Sequence, residues 1–137
     1  MKIKSKLPNV GETIFTTISA LANERKAVNL GQGFPDFSGS EYLKNKISHY
    51  IQDDFNQYAP MIGVPKLRNS IAKYFKRKYQ LDINPNSEVT ITSGATEALS
   101  ASILALVGAG DEVIVFDPSY DSYVPAIELA GAKSIRL

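Results

Sequence analysis

Residues 88 to 107 constrain this chain more than any other stretch. Glu88-Val89-Thr90-Ile91-Thr92 alternates with β-branched residues, a pattern that predicts a strand. Ala98 to Val107 is almost wholly apolar and long enough for a helix. The small residues of Ser93-Gly94-Ala95-Thr96 therefore stand where a strand turns into a helix. The first turn of a helix carries backbone N–H groups without partners and the positive end of its dipole. Gly94 and Ala95 let an anion approach that backbone, and Thr96 adds a hydroxyl donor, so a phosphate group is the natural guest. The same residues also suit an ordinary turn in which Ser93 or Thr96 only caps the helix.

Downstream, Gly108-Ala109-Gly110 is expected to end that helix, and Glu112 to Phe116 predicts a short apolar strand. Asp117-Pro118-Ser119-Tyr120 breaks the strand at its C-terminal end, where α/β sheets place ligands, and Tyr123 follows three residues later. Val124 to Ala130 predicts a helix closed by Gly131, and Lys133 to Leu137 begins a third strand. Strands alternating with helices argue for an α/β fold with parallel pairing. Neither a G-x-G-x-x-G nor a G-x-x-x-x-G-K-[ST] fingerprint is present.

Upstream, residues 1–13 read as an extended arm broken by Pro8 and Gly11. Ile14, Ile18, Leu21 and Ala22 share one face of a helix that runs to about Arg25. Val28-Asn29-Leu30 is a short extended piece. It leads into Gly31-Gln32-Gly33-Phe34-Pro35-Asp36-Phe37, either a plain turn or a loop whose backbone a ligand can approach closely. Ser40 is expected to cap a helix striped by Leu43, Ile47, Tyr50 and Ile51. His49, the single histidine, has no partners at metal-ligand spacing and reads as a helix-surface residue. Asn56 to Gly63 is irregular, with Tyr58 either anchoring the loop or presented to a ligand. Val64, Leu67, Ile71, Phe75 and Tyr79 then repeat at helical spacing. Lys66, Arg68, Lys73, Lys76, Arg77 and Lys78 decorate the same helix and read as a solvated face.

Composition narrows the classes. With 137 residues, the chain is about one domain long. A net charge of +1 makes no bulk electrostatic case for nucleic acid or an acidic membrane surface. The absence of cysteine excludes disulfides, thiolate metal sites and a cysteine nucleophile. The basic start at Lys2, Lys4 and Lys6 has no apolar stretch behind it, so no signal peptide is expected. No run approaches the length of a membrane span, and cytoplasm is the expected compartment.

Four segments in order carry a resemblance: Asn29 to Phe37, Asn56 to Pro60, Ser93 to Leu99, and Asp111 to Tyr123. Together they resemble the N-terminal third of a fold-type-I, pyridoxal-phosphate-dependent aminotransferase. The branch they are most similar to holds the methionine and kynurenine (glutamine transaminase-like) enzymes. The resemblance implies an α/β fold of the aspartate aminotransferase type, here an incomplete, mostly parallel sheet with flanking helices. It implies a division into residues 1–40, an N-terminal arm and helix with a substrate loop, and 41–137, the first part of the coenzyme-binding large domain. It also implies that the 88–92 strand lies at the far side of the sheet from 112–116.

Carried over by position, the resemblance makes Gly94, Ala95 and Thr96 the cradle for the phosphate of pyridoxal 5′-phosphate. Tyr120 matches the aromatic that stacks on the pyridine ring, and Tyr58 the tyrosine that reaches the phosphate of the neighbouring subunit. Gly33 matches a backbone contact near the substrate carboxylate, while Phe34 and Tyr123 shape the substrate pocket. Amino acid and 2-oxo acid substrates and a homodimer with shared active sites are implied, with no nucleic acid, membrane or metal partner. The family's coenzyme-bonding lysine, its pyridine-nitrogen aspartate, an asparagine and a tyrosine on the ring oxygen, and its carboxylate-binding arginine all match positions past Leu137. The chain therefore reads as an inactive fragment of a transaminase. The competing expectations are a carbon–sulfur β-lyase on the same scaffold, a free-standing phosphate-ligand-binding α/β module, and a fragment completed by another chain.

Overall fold

A computed structural model describes residues 3–33 and 35–137. In chain order the elements are α1 (Ile14–Arg25), α2 (Glu41–Gln52), α3 (Pro65–Tyr79), α4 (Ala95–Leu106), β1 (Glu112–Val115), α5 (Tyr123–Leu129) and β2 (Lys133–Arg136). They fall into two compact units, one built from the N-terminal residues up to 33 together with 94–137, the other from 35–93.

The first unit contains a βαβ crossover. β1 and β2 pair in parallel, with Glu112 opposite Lys133 and Val115 opposite Arg136. Lys133 Nζ reaches Glu112 Oε1 at 3.0 Å across that register. Helix α5 packs against α4 and against both strands. It contributes Ala126 and Ile127 to a small core shared with Val115, and Ile127 is only 1% exposed. Ile114, Phe116, Leu104 and Leu106 remain exposed, so much of the unit's apolar surface is uncovered.

Helix α1 belongs to the same unit and starts where expected. Thr13 occupies the N-cap, and its Oγ1 accepts from the Thr16 N–H at 3.3 Å. Lys26 ends the helix in the left-handed region at φ 51°, and the Ala27 N–H closes onto the Ala22 carbonyl at 2.9 Å. At the end of α4 the turn differs from the expected glycine cap. Val107 is extended, and Asp111 holds the turn by accepting the Gly108 N–H at 2.8 Å.

In the second unit, Ser40 is the N-cap of α2, but its side chain makes no capping bond. The stripe of Leu43, Ile47, Tyr50 and Ile51 forms and stays exposed. His49 lies on the α2 surface, 3.5 Å from Asp53. Helix α3 starts with Pro65 at its first position, where the missing N–H is not needed. Arg68 corrects the solvated-face expectation: it is buried, with Nε donating to the Gly63 carbonyl at 3.1 Å and Nη1 donating to the Pro85 carbonyl. Its position, four residues after Val64 and three before Ile71, puts it on the apolar face rather than the charged one.

The expected strand over 88–92 is a second correction. These residues are irregular, and among the described residues the sheet contains β1 and β2 alone. The Ile91 N–H donates to the Ile62 carbonyl at 3.1 Å, and no strand is formed there among the described residues. A β-branched alternation becomes a strand only when a second segment completes the hydrogen-bonding pattern, and among the described residues the 60–63 turn that meets Ile91 is not extended into a strand.

Candidate functional site

The start of α4 has the geometry of an anion site. Gly94 is the N-cap, so neither Ser93 nor Thr96 stands in the capping position, and Gly94 has no side chain with which to cap. Its backbone sits at φ 88°, ψ 170°, a region essentially reserved for glycine. A Cβ built on Gly94 would meet nothing within 4 Å. Glycine is thus required there by the backbone path rather than by crowding, and the space beside the turn is open. Ala95 and Thr96 are the first two helical residues and both are exposed. Their N–H groups belong to the set that an α-helix cannot satisfy internally. Glu97 places a carboxylate in the same turn.

The loop after β1 places two aromatics close to this helix. Asp117 anchors the loop: its N–H donates to the Leu137 carbonyl at 2.9 Å, and Oδ2 accepts from Arg136 Nη1 at 3.0 Å. Tyr120 and Tyr123 meet edge to face, with centroids 5.9 Å apart and planes at 71°. The Tyr123 N–H donates to the Tyr120 carbonyl at 3.2 Å. A groove of about 430 Å³ runs beside them, lined by Leu99 and Ile103 of α4, by β1 and by Pro118, Tyr120 and Tyr123. Leu99 stands one helical turn after Ala95. The helix that offers the anion turn is therefore also one wall of the groove bordered by Tyr120. Tyr120 lines a second, larger cleft of about 870 Å³, whose other side is the arm from Asn9 to Ile14.

The remaining candidates come from other loops. Gly31 is pinned: its N–H donates to Asn29 Oδ1 at 2.9 Å, and a Cβ there would lie 2.5 Å from Ile18 Cγ2. Asn29 Nδ2 in turn donates to Ser19 Oγ on α1 at 3.0 Å. Gly33, two residues on, has nothing within 4 Å of its Cβ position, so its backbone is open to approach. Phe34 lies outside the described residues. Tyr58 is fully exposed and belongs to the 35–93 unit. Among the described residues, no group of three or more His, Asp or Glu side chains could hold a metal ion. Among the described residues, no helix is long and apolar enough to cross a membrane.

Two residues that matter to these loops are not among the sequence candidates. One is Arg136, whose ion pair steadies the loop of Tyr120. It carries no local signal, because its partner Asp117 lies 19 residues away. The other is Arg68, which its place on the apolar face of α3 could have betrayed.

A family model described as aminotransferase class I and II matches residues 25–137. Methionine aminotransferase of Escherichia coli is 56% identical over 134 residues, spanning 98% of this chain and 35% of that protein. Human kynurenine–oxoglutarate transaminase 3 is 36% identical over 131 residues, spanning 95% of this chain and 29% of that protein. A crystal structure of an Escherichia coli protein with methionine aminotransferase function superposes with a TM-score of 0.95 at 53% identity, over 100% of this chain and 36% of that one. The chain thus spans about a third of the length of the relatives it matches.

Proposed function

Because the chain belongs to the class I and II aminotransferases, enzymes that depend on pyridoxal phosphate, we propose that Gly94, Ala95 and Thr96 hold the phosphate of that coenzyme and that the whole protein transfers amino groups from an amino acid to a 2-oxo acid. The observation that carries this reading is the α4 N-terminus. Its glycine cap has a backbone conformation that other residues do not adopt, its flank is open, and α4 also walls the groove of Tyr120. The residues present fit the coenzyme: unsatisfied N–H groups and a hydroxyl suit a phosphate, and a half-exposed aromatic suits the face of a pyridine ring. When bound, the coenzyme supplies an electron sink for bond cleavage at the substrate α-carbon.

The chain's own residues then have distinct roles. Ala95 and Thr96 donate to the phosphate and so fix the distal end of the ring system. Tyr120 sets the plane of the ring by stacking, and the steeply inclined Tyr123 ring beside it supports the Tyr120 ring. Fixing that plane decides which bond at the α-carbon is aligned for cleavage. The open backbone at Gly33 approaches the substrate carboxylate, and Phe34 with Tyr123 shapes the side-chain pocket. Tyr58 donates its hydroxyl to the phosphate of a second subunit, which makes the functional unit a homodimer. Residues 1–40 serve as the arm and substrate loop, and 41–137 as the start of the coenzyme-binding domain, in a cytoplasmic enzyme. The lysine that bonds the coenzyme is not among this chain's lysines, none of which stands in a matching motif. Residues 1–137 by themselves therefore do not transaminate.

The names of the relatives favour methionine and kynurenine as amino donors. The test is to load the whole protein with pyridoxal phosphate and follow amino transfer from each donor to a set of 2-oxo acids. Transfer from either donor supports the reading. Absence of transfer from any amino acid, with elimination of a thiol from a cysteine conjugate instead, would replace it with a β-lyase.

A further inference from the structure

Arg68 is the buried charged side chain of the described residues, at 5% exposed. Removing a guanidinium from water is costly unless its donors are used. Its position worsens the balance, because a cation in the first turn of α3 faces the positive end of the helix dipole. Among the described residues its acceptors are two backbone carbonyls, those of Gly63 and Pro85, and no carboxylate pairs with it. The two carbonyls belong to different segments. Gly63 ends the loop that carries Tyr58, and Pro85 lies in the turn that leads towards Gly94.

Two further features tie the same two segments together. The Ile91 N–H donates to the Ile62 carbonyl at 3.1 Å. Gly63 sits at φ 96°, and a Cβ there would lie 2.3 Å from Ile91 Cγ1, so the segments pack too closely for any side chain at that position. The Gly63 N–H also closes a turn onto the Pro60 carbonyl at 2.7 Å. The loop is thus fixed from Pro60 to Gly63, while Tyr58, two residues before Pro60, is fully exposed. An exposed side chain owes its place to the backbone that carries it, and Arg68 holds that backbone with a charged donor.

We infer that Arg68 is a positioning residue for coenzyme binding: by joining the Gly63 and Pro85 carbonyls it sets the loop from which Tyr58 offers its hydroxyl to a phosphate. This rests on the proposed role of Tyr58. The test is a double-mutant cycle in the whole protein, using Tyr58→Phe, Arg68→Gln and the pair. Titration of each apoprotein with pyridoxal phosphate, followed by absorbance, gives the dissociation constant, and phosphate-free pyridoxal serves as the control ligand. Tyr58→Phe is expected to raise the constant for pyridoxal phosphate about tenfold. Arg68→Gln is expected to raise it to a similar extent, and the double variant no further, because both act through one contact. Affinity for pyridoxal should stay unchanged throughout. Losses that multiply in the double variant, an unaltered constant for Arg68→Gln, or a parallel loss of pyridoxal affinity would each overturn the inference while leaving Tyr58 at the phosphate. An unaltered constant for Tyr58→Phe would instead remove Tyr58 from the phosphate, and the inference with it. If Arg68→Gln does not fold, Arg68→Lys takes its place in the cycle. It keeps the charge but reaches one carbonyl, and a smaller rise in the constant is expected.

Discussion

Single residues in this chain divide by whether their conformation or their neighbours explain them. Gly94 is explained by its backbone, at φ 88° with open space beside it, while Gly31 is explained by packing against Ile18. That difference makes the 94–96 turn the better place for a ligand, and Thr96 tests it. A hydroxyl bound to a charged group contributes about 1.5–3 kcal/mol. Thr96→Val in the whole protein should therefore weaken coenzyme binding about tenfold or more, read by titrating the apoprotein with pyridoxal phosphate. Unchanged affinity would take Thr96 out of the phosphate site. The glycine turn at Gly94 and the exposed helix start after it were legible because they are local. The burial of Arg68 is not legible locally, because charge argues for solvent until the two carbonyls that receive it are known.

At the scale of elements, β1, α5 and β2 follow the sequence within a residue or two, since apolar runs and breakers alone mark them. The crossover is held mainly by α5. Ile127 is the largest fully buried side chain among the described residues. Ile127→Ala should cost about 2–5 kcal/mol, through lost transfer energy and the cavity left behind. The denaturation midpoint of the whole protein in urea should fall accordingly, with little change in slope. A change under about 0.5 kcal/mol would mean that α5 is not the packing centre. The 88–92 segment went the other way. Its β-branched alternation is genuine, but a strand is a relation between two segments, and here Ile91 meets a turn before α3 that is not extended into a strand.

For the molecule as a whole, two expectations concern assembly and completeness. If Tyr58 acts on the partner's coenzyme, a Tyr58→Phe subunit mixed with a subunit lacking the coenzyme-bonding lysine forms hybrids with one doubly defective site and one intact site. Activity should then be partly restored, whereas confirmed hybrids without restoration would place Tyr58 in its own subunit's site or in none. The second expectation is that residues 1–137 expressed alone do not transaminate. Turnover clearly above that of free coenzyme would show that one of the chain's own lysines, such as Lys44, Lys46, Lys66, Lys73, Lys76, Lys78 or Lys133, is catalytic. The exposed Ile114, Phe116, Leu104 and Leu106 also lead us to expect this polypeptide to aggregate or remain partly unfolded, as light scattering would report.

The sequence by itself determined the order of the five helices with β1 and β2, the parallel class of the sheet and the small-residue turn at 94–96. Each depends on periodicity or on backbone preference within a few residues. Tertiary structure alone decided that Arg68 is buried, that Gly63 cannot carry a side chain against Ile91, that Arg136 holds Asp117, and that 88–92 is not a strand. Each of these depends on a partner distant in sequence, and local pattern contains no record of which distant backbone or side chain will arrive.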